Sequence, residues 1–203
     1  MRLFNITTVQ IKPVEKDKIV IVGRSNVGKS SALRALTGKM VRVGRRPGMT
    51  LKPNFIPYKG KTLVDMPGFG FMSGIGKKEQ ERIKDFIIHY LERSSDVLFA
   101  LQIIDAKAFA QIARRWEKRG QIPVEIEMFD FLNELNLNPL VVANKIDKIK
   151  KDRRDEALDE ICEFLGLTPP WSRWTAIIVP FSAKTGEGLD NLKRNINQKI
   201  YTP

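Results

Sequence analysis

The sequence predicts one α/β domain, with a mostly parallel central sheet and helices on both faces of that sheet. Short apolar runs alternate with longer amphipathic segments along most of the chain, an order that is typical of a parallel sheet. The 203 residues, of which 42% are hydrophobic, match the usual size of one domain and suffice for a buried core. No internal repeat, linker or low-complexity tract divides the chain. Residues 1–203 are therefore predicted to form a single unit.

The predicted strands are short apolar runs, as expected for strands buried on both faces of a sheet. They cover residues 19–22, 54–58, 62–65, 97–104, 140–143 and 176–180. The predicted helices lie at 29–37, around 83–91, around 158–165 and at 189–200. Gly38 suits the left-handed cap of the first helix, and Ile83, Ile87 and Leu91 repeat at helical spacing. Cys162 falls on the apolar face of the predicted helix around 158–165, so it is expected to be a small core residue.

Three segments do not follow this alternation. Residues 39–53 and 67–76 are rich in Gly and Pro, which predicts loops. Residues 107–124 carry Arg114, Arg115, Lys118 and Arg119 around Trp116. This basic segment is expected to connect a strand to a helix and to form no domain of its own.

Composition limits the classes of function. The formal net charge of +12 and the pI near 9.9 favour a polyanionic partner, which can be RNA, DNA or an anionic membrane surface. One cysteine excludes an intramolecular disulfide and a cysteine zinc cluster, and it fits a reducing compartment. Residues 1–13 lack the apolar core of a secretory leader, and no run of about 18 apolar residues occurs in the sequence. A cytoplasmic protein without a transmembrane segment is expected.

The stretch GRSNVGKS at 23–30 fits the pattern G-x-x-x-x-G-K-S/T between a predicted strand and a predicted helix, which is the context of a phosphate-binding loop. Backbone N–H groups and the helix start would hold the α and β phosphates, while Lys29 would reach the β and γ oxygens. The Ser30 hydroxyl would ligate Mg²⁺. The expected phosphate contacts are Gly23, Arg24, Ser25, Asn26, Val27, Gly28, Lys29, Ser30 and Ser31.

Two later motifs distinguish guanine from adenine. NKID at 144–147 follows an apolar strand, so it lies at the sheet edge where open α/β folds bind ligands. The Asp147 carboxylate can accept both N1–H and N2–H of guanine, whereas adenine would leave it unpaired. Asn144 would tie this loop to the phosphate loop, and the Lys145 stem would lie along the purine. In FSAK, the Ala183 N–H is the expected donor to guanine O6. The base contacts are Asn144, Lys145, Ile146, Asp147, Ser182, Ala183 and Lys184.

Two loops are expected to respond to the γ-phosphate. In DMPGFG, Asp65 would hold Mg²⁺ through water and the Gly68 N–H would contact the γ-phosphate. In RPGMT, Thr50 would complete the Mg²⁺ shell only when the γ-phosphate is present, which would make this loop an order–disorder switch. The contacts expected from these loops are Gly48, Met49, Thr50, Asp65, Met66, Pro67 and Gly68.

The ordered set GRSNVGKS, RPGMT, DMPGFG, NKID and SAK resembles the translation-factor-related GTPases, and more narrowly the EngB/YihA family. The resemblance covers essentially the whole chain from Lys18 onward. It implies a P-loop G domain that binds GTP and GDP with Mg²⁺ and assists ribosome assembly. It also implies that the protein is needed for assembly of the large subunit and for normal septation in cell division. Three features depart from the family pattern: Phe69 and Phe71 stand where Tyr is usual, Leu51 stands where Gln is common, and 107–124 resembles an insertion.

Slow intrinsic hydrolysis is expected, because Phe69 occupies the position at which Ras-like enzymes carry a water-orienting Gln. Lys29 and Thr50 would assist, and no side chain is identified as a base. Acceleration would come from a partner's arginine or RNA, or from a monovalent cation. Asn26 matches the position used by potassium-activated relatives, and it equally suits a residue that caps the loop backbone. Activity indifferent to K⁺ and Na⁺ would contradict the potassium role.

The basic residues suggest a partner surface. Arg42, Arg45 and Arg46, the cluster 114–119 and residues 148–154 are candidates for contact with rRNA or a ribosomal particle, with an exposed Trp116 to stack on a base. The alternative is ordinary solvated charge. A signalling or membrane-surface switch is the rival function, although the chain carries no lipidation motif. Trp171 and Trp174 are expected to pack in a loop, His89 to be solvated, and the protein to be a monomer.

Overall fold

The structure is a computed structural model, and it is described here for residues 17–39, 52–70 and 76–201. Six strands form one sheet in the spatial order β2-β3-β1-β4-β5-β6. The strands are β1 (Lys18–Val22), β2 (Asn54–Tyr58), β3 (Lys61–Asp65), β4 (Val97–Asp105), β5 (Leu140–Asn144) and β6 (Ile178–Pro180). Only the edge strand β2 runs antiparallel to its neighbour, and the other pairs are parallel. The predicted mostly parallel sheet is confirmed.

Helices cover both faces of the sheet, as predicted. They are α1 (Lys29–Thr37), α2 (Lys77–Arg93), α3 (Phe109–Glu117), α4 (Val124–Glu134), α5 (Arg154–Phe164) and α6 (Leu189–Tyr201). Strand β1 shows why two faces are needed: Ile19 and Ile21 join the core under α1 and α6, while Val20 and Val22 join the core under α2 and α4. A third core cluster lies between β5, β6, α3 and α5.

The basic segment 107–124 differs from the expected connection, because half of it folds as α3. Phe109, Ala110 and Ala113 are buried and form the apolar face of that helix. Two of these residues are alanines, so the apolar signal was weak beside the arginines. Trp116, which was expected to be exposed, lies on this helix and is only partly exposed. The description of this segment as an insertion stays a prediction.

Other predicted packing roles can be read directly from the structure. The indole N–H groups of Trp171 and Trp174 donate to Asp155 Oδ1 and to the Thr168 carbonyl, and both rings pack against the third core cluster. His89 is exposed on α2 and lies 3.5 Å from a Glu92 carboxylate oxygen. Within the described ranges, no helix combines the length and apolar character needed to cross a membrane.

Strand register brings the functional motifs to one edge of the sheet. Strands β1, β3, β4, β5 and β6 are parallel, so their carboxyl ends meet there. Asp65, the last residue of β3, pairs in register with Ile21, just before the loop that follows β1. Asp105, at the end of β4, pairs with Asn144 at the end of β5. The acids of two strand ends therefore flank the phosphate-binding loop.

Candidate nucleotide site

The phosphate-binding loop connects β1 to α1 through backbone conformations that require glycine. Gly28 caps α1 in the left-handed region with φ 99°, and a Cβ there would collide with the Asn144 side-chain amide. A Cβ at Gly23 would collide with the Ile103 carbonyl oxygen. The helix starts at Lys29, so its first N–H groups lack intrahelical acceptors and can bind an anion. Ser30 and Ser31 lie in this first turn.

Lys29 and Asp65 place opposite charges near each other at the mouth of this loop, and burial acts on both groups. The Lys29 ammonium lies 3.3 Å from the Gly23 carbonyl oxygen. Burial lowers the pKa of Lys29, and the nearby Asp65 carboxylate opposes that shift. Burial likewise raises the pKa of Asp65, opposed by Lys29. A Cβ at Gly68 would lie only 3.2 Å from Lys29 Nζ. Burial therefore disfavours the charged form of each group. A bound anion would stabilise the Lys29 ammonium, and a bound cation would stabilise the Asp65 carboxylate.

A divalent cation suits the oxygen atoms at this point. Asp65 Oδ1 is buried and accepts no hydrogen bond in the described part of the chain. Such an orphaned carboxylate oxygen is a ligand that Mg²⁺ accepts, and the Ser30 hydroxyl, substrate oxygens and water could complete the shell of the ion. Within the described residues, no group of three His, Cys, Asp or Glu side chains could hold a metal without such help.

Replacing Asp65 with Asn should stabilise the nucleotide-free protein. Burial raises the pKa of Asp65 above 3.8, so the folded state holds its proton more tightly than the unfolded state does. The ionised carboxylate therefore costs stability that grows as the pH rises above 3.8 and reaches its full value above the folded-state pKa. The gain in melting temperature should be small near pH 3.8 and larger at neutral pH, and the Mg²⁺ dependence of GDP binding should weaken. Asp152→Asn, an exposed acid, is the control. A lower melting temperature at pH 7 would contradict the argument.

The DMPGFG motif, residues 65–70, follows β3 and contacts the phosphate-binding loop. The Ser25 N–H donates to the Phe69 carbonyl oxygen at 3.1 Å, and Phe69 forms a parallel bridge with Arg24. The Phe69 ring is 2% exposed and lies in the core under α2 and α4. The Arg24 guanidinium pairs at 3.1 Å with the buried Glu125 at the start of α4. Neither side chain therefore faces the phosphate end of the site.

Three predicted contact residues are core residues. Val27, Met66 and Ile146 are 5%, 2% and 1% exposed. Their side chains fill the interior, so only their backbone atoms can meet a ligand. The Met66 and Ile146 N–H groups already donate to the Ile21 and Phe181 carbonyl oxygens.

Asn144 joins the phosphate-binding loop to the loop after β6. Its amide is 2% exposed, donates from Nδ2 to the Val27 carbonyl at 2.8 Å, and accepts at Oδ1 from the Ala183 N–H at 3.0 Å. The Ala183 N–H, the expected donor to guanine O6, therefore already has an acceptor within the protein. The Asn144 amide is buried, so its Oδ1 atom needs a hydrogen-bond donor within the protein, and the Ala183 N–H provides it. A base oxygen would have to share that N–H.

Asp147 is oriented by a serine hydroxyl. Ser182 Oγ donates to Asp147 Oδ1 at 2.6 Å and accepts from the Thr185 N–H at 3.2 Å. The carboxylate lines a cavity of about 320 Å³. The cavity is lined by Ser31, Asn144, Lys145, Asp147, Lys148, Ala183 and Lys184. Six of these seven residues were predicted contacts, from two motifs and α1, and the fold brings them together.

Lys145 connects the base loop to the phosphate-binding loop through its ammonium group. The residue has a left-handed backbone, with φ 66°, and its Nζ donates to the Asn26 carbonyl at 2.7 Å and to Asp105 Oδ2 at 2.6 Å. Sequence reasoning missed Asp105. The other Asp105 oxygen accepts from the Lys107 and Ala108 N–H groups at 3.2 Å each. The one sequence feature that could have indicated Asp105 is its position directly after the predicted apolar strand 97–104.

Replacing Asp105 with Ala should weaken GDP binding roughly tenfold, which corresponds to the loss of one charge-assisted hydrogen bond that positions Lys145. The measurement is a titration with a fluorescent guanine nucleotide. Asp152→Ala removes an exposed acid from the turn Lys151–Arg153 and serves as the matched control. Equal affinity of the Asp105 variant and the control would show that the ammonium is held well enough by the Asn26 carbonyl.

The remaining predicted residues fall into two groups. Asn26 has φ 66° and is exposed, and its side chain makes no hydrogen bond that would cap the loop backbone within the described residues. Its role toward K⁺ stays a prediction. The other group lies outside the described residues: Gly48, Met49 and Thr50, together with Arg42, Arg45, Arg46, Leu51 and Phe71.

Comparisons with known proteins agree with this geometry. The sequence model of a family described as "50S ribosome-binding GTPase" matches residues 18–145. The chain is 54% identical over 186 residues to a probable GTP-binding protein EngB of Methanopyrus kandleri, covering 90% of this chain and 92% of that protein. It is 49% identical to the Methanococcus maripaludis counterpart, covering 93% and 83%.

Solved structures give the same result. A crystal structure of a probable GTP-binding protein EngB superposes with a TM-score of 0.83 at 42% identity, covering 92% of this chain and all of that one. Aquifex aeolicus Era, bound to GDP and aluminium fluoride, superposes with a TM-score of 0.64 at 29% identity, covering 92% and 57%. Because these matches cover nearly the full length of this chain and of the EngB proteins compared with it, the chain belongs to the EngB family of P-loop GTPases.

Proposed function

We propose that this GTPase is a nucleotide-gated factor in assembly of the large ribosomal subunit, and that slow hydrolysis of GTP to GDP and phosphate releases it. The observation that carries the proposal is the family match over residues 18–145, whose description names the 50S ribosome. The net charge of +12 supports a partner made largely of RNA.

The phosphates of GTP would be held by the N–H groups at the start of α1 and by Lys29. Lys29 is already buried and short of partners, so its ammonium is preorganised for the β and γ oxygens. Ser30 and Asp65 would hold Mg²⁺, with Thr50 added in the GTP state. Bound Mg²⁺ would neutralise charge on the β and γ oxygens. Gly68 approaches Lys29 closely enough for its N–H to report the γ-phosphate.

The guanine base would occupy the 320 Å³ cavity beside Asp147. The Ser182 hydroxyl donates a hydrogen bond to one oxygen of the Asp147 carboxylate and thereby fixes the orientation of that carboxylate. Two donors on one edge of guanine match a carboxylate, which supports guanine over adenine. Lys145, held between Asp105 and the Asn26 carbonyl, keeps the base loop at a constant distance from the phosphate-binding loop.

Hydrolysis is proposed to be slow without a partner. Phe69 lies in the core, so its side chain cannot orient the attacking water. We propose that a ribosomal partner, or K⁺ beside Asn26, supplies the missing stabilisation of the transition state. Hydrolysis that is faster in KCl than in NaCl at equal ionic strength, and that loses this preference in Asn26→Ala, would support the cation. Equal rates in both salts would exclude it.

Co-sedimentation with isolated ribosomal subunits tests the main proposal. The protein is loaded with GDP or with a non-hydrolysable GTP analogue and centrifuged with each subunit at moderate salt. Retention on the large subunit with the analogue and release with GDP are expected. Absence of retention in both states, with tight nucleotide binding intact, would overturn the ribosomal role and favour the rival membrane or signalling switch.

A further inference from the structure

A basic groove lies between α3 and α5, beside the nucleotide site. It encloses about 360 Å³ and is bordered by five cationic side chains. These are Lys107, Arg114, Lys148, Lys150 and Arg153. They come from two segments of the chain that sequence analysis treated separately, 107–124 and 148–154. Packing of α3 against α5 across the third core cluster makes them the two walls of one groove.

Three of these cations are left unneutralised. The groove contains two acids, and each is already paired: Arg114 with Glu160, and Arg153 with Glu156 at 2.8 Å. The other lysines, Lys107, Lys148 and Lys150, are exposed and form no ion pair within the described ranges. The small side chains of Ala110 and Ala157 also line the groove. A concave surface with about three free positive charges suits a chain of phosphates.

The groove adjoins the base cavity, because Lys148 lines both. Lys148 directly follows Asp147 in the turn Ile146–Lys148. An anion in the groove would therefore lie beside the base end of the site, remote from the γ-phosphate. Since guanine is the same in GDP and GTP, the groove should not itself distinguish the two states.

We propose that the α3–α5 groove binds the phosphate backbone of RNA, and that it supplies affinity for the ribosomal particle independent of the nucleotide state. This inference rests on the proposed function, since it names the surface through which that function reaches RNA. Contacts to phosphates position a protein without reading sequence, so low sequence preference is expected.

The shape of the surface favours RNA over a membrane. A bilayer presents a plane, and proteins that lie on it insert apolar side chains beside the cations. In the described part of the chain, the exposed large apolar residues are Phe55, Ile122 and Tyr201, and none of them lines the groove. Exposed lysines around a concave surface, without an apolar partner, fit a strand of phosphates better than a flat lipid surface.

The test compares two double variants of the full chain, both loaded with GDP. Lys107→Gln/Lys150→Gln removes two groove cations and leaves the base cavity intact. Lys193→Gln/Arg194→Gln removes two cations from α6, on the opposite face of the sheet. Binding of a fluorescein-labelled single-stranded RNA is followed by anisotropy across a range of salt concentrations, and GDP affinity reports that each variant is folded.

The groove variant should bind the RNA about tenfold more weakly at moderate salt, and its slope of log affinity against log salt should fall by about 1.4, or 0.7 for each lost phosphate contact. The α6 control should match the wild type. Equal RNA binding by all three proteins would overturn the inference. Loss of binding to phosphatidylserine vesicles but not to RNA, in the groove variant alone, would overturn it in favour of a membrane.

Failure of the inference is distinct from failure of the proposed function. Wild-type protein that sediments with the large subunit, together with a groove variant that sediments equally well, would leave the ribosomal role standing and place its RNA contact elsewhere. Wild-type protein that binds RNA through the groove but never sediments with a subunit would support the groove and overturn the ribosomal role.

Discussion

Replacing Asp147 with Asn is expected to lower GDP affinity roughly 100-fold or more, because two hydrogen bonds to a charged acceptor contribute about 1.5–3 kcal/mol each. Xanthine carries an oxygen where guanine carries its 2-amino group, so an amide at position 147 can donate to it. The variant should therefore bind xanthosine diphosphate more tightly than GDP. Competition titrations with the two nucleotides measure the reversal.

A matched control comes from the hydroxyl that orients this carboxylate. Ser182→Ala removes the 2.6 Å hydrogen bond to Asp147 Oδ1 but keeps the charge. About a tenfold loss of GDP affinity is expected, without a gain for xanthosine diphosphate, since one hydrogen bond to a charged group is lost. If the Asp147 variant kept its preference for guanine, another residue would have to read the base.

Replacing Lys29 with Met should strongly weaken GTP and GDP binding and, at the same time, stabilise the nucleotide-free protein. The loss of binding follows from removing the buried ammonium at the mouth of the phosphate-binding loop, with an expected effect of about 100-fold or more for two charge-assisted hydrogen bonds. The gain in stability follows because the same ammonium is held out of water with only partial compensation from Asp65. Nucleotide titration and thermal melts of the nucleotide-free protein measure the two effects.

The pH dependence separates this explanation from a simple packing effect. Burial lowers the folded-state pKa of Lys29 below 10.5, so the unfolded state binds more protons between the two values and wild-type stability rises with pH there. The advantage of Lys29→Met should therefore shrink as the pH approaches 10.5. Lys78→Met, at an exposed position on α2, should show neither the gain nor this pH dependence. A gain independent of pH would indicate packing alone.

Local patterns in the sequence were sufficient for the architecture and for the class of ligand. Short apolar runs alternate with amphipathic helices along the chain. The phosphate-binding loop and NKID are contiguous motifs, so neighbouring residues carry the information. Helix α3 was missed because its buried face is short and contains two alanines. There, tertiary packing and not local apolar content decides the helix.

Contacts between distant segments could be decided only by the tertiary structure. Lys145 and Asn26 are 119 positions apart, and Asn144 and Ala183 are 39 apart. No periodicity links such residues; they meet because parallel strands end at one edge of the sheet. The same holds for Asp105 beside Lys145, and for the two basic segments that α3 and α5 bring to one groove. Residue types thus indicated which chemistry to expect, while the order and register of the strands determined which partners each group meets.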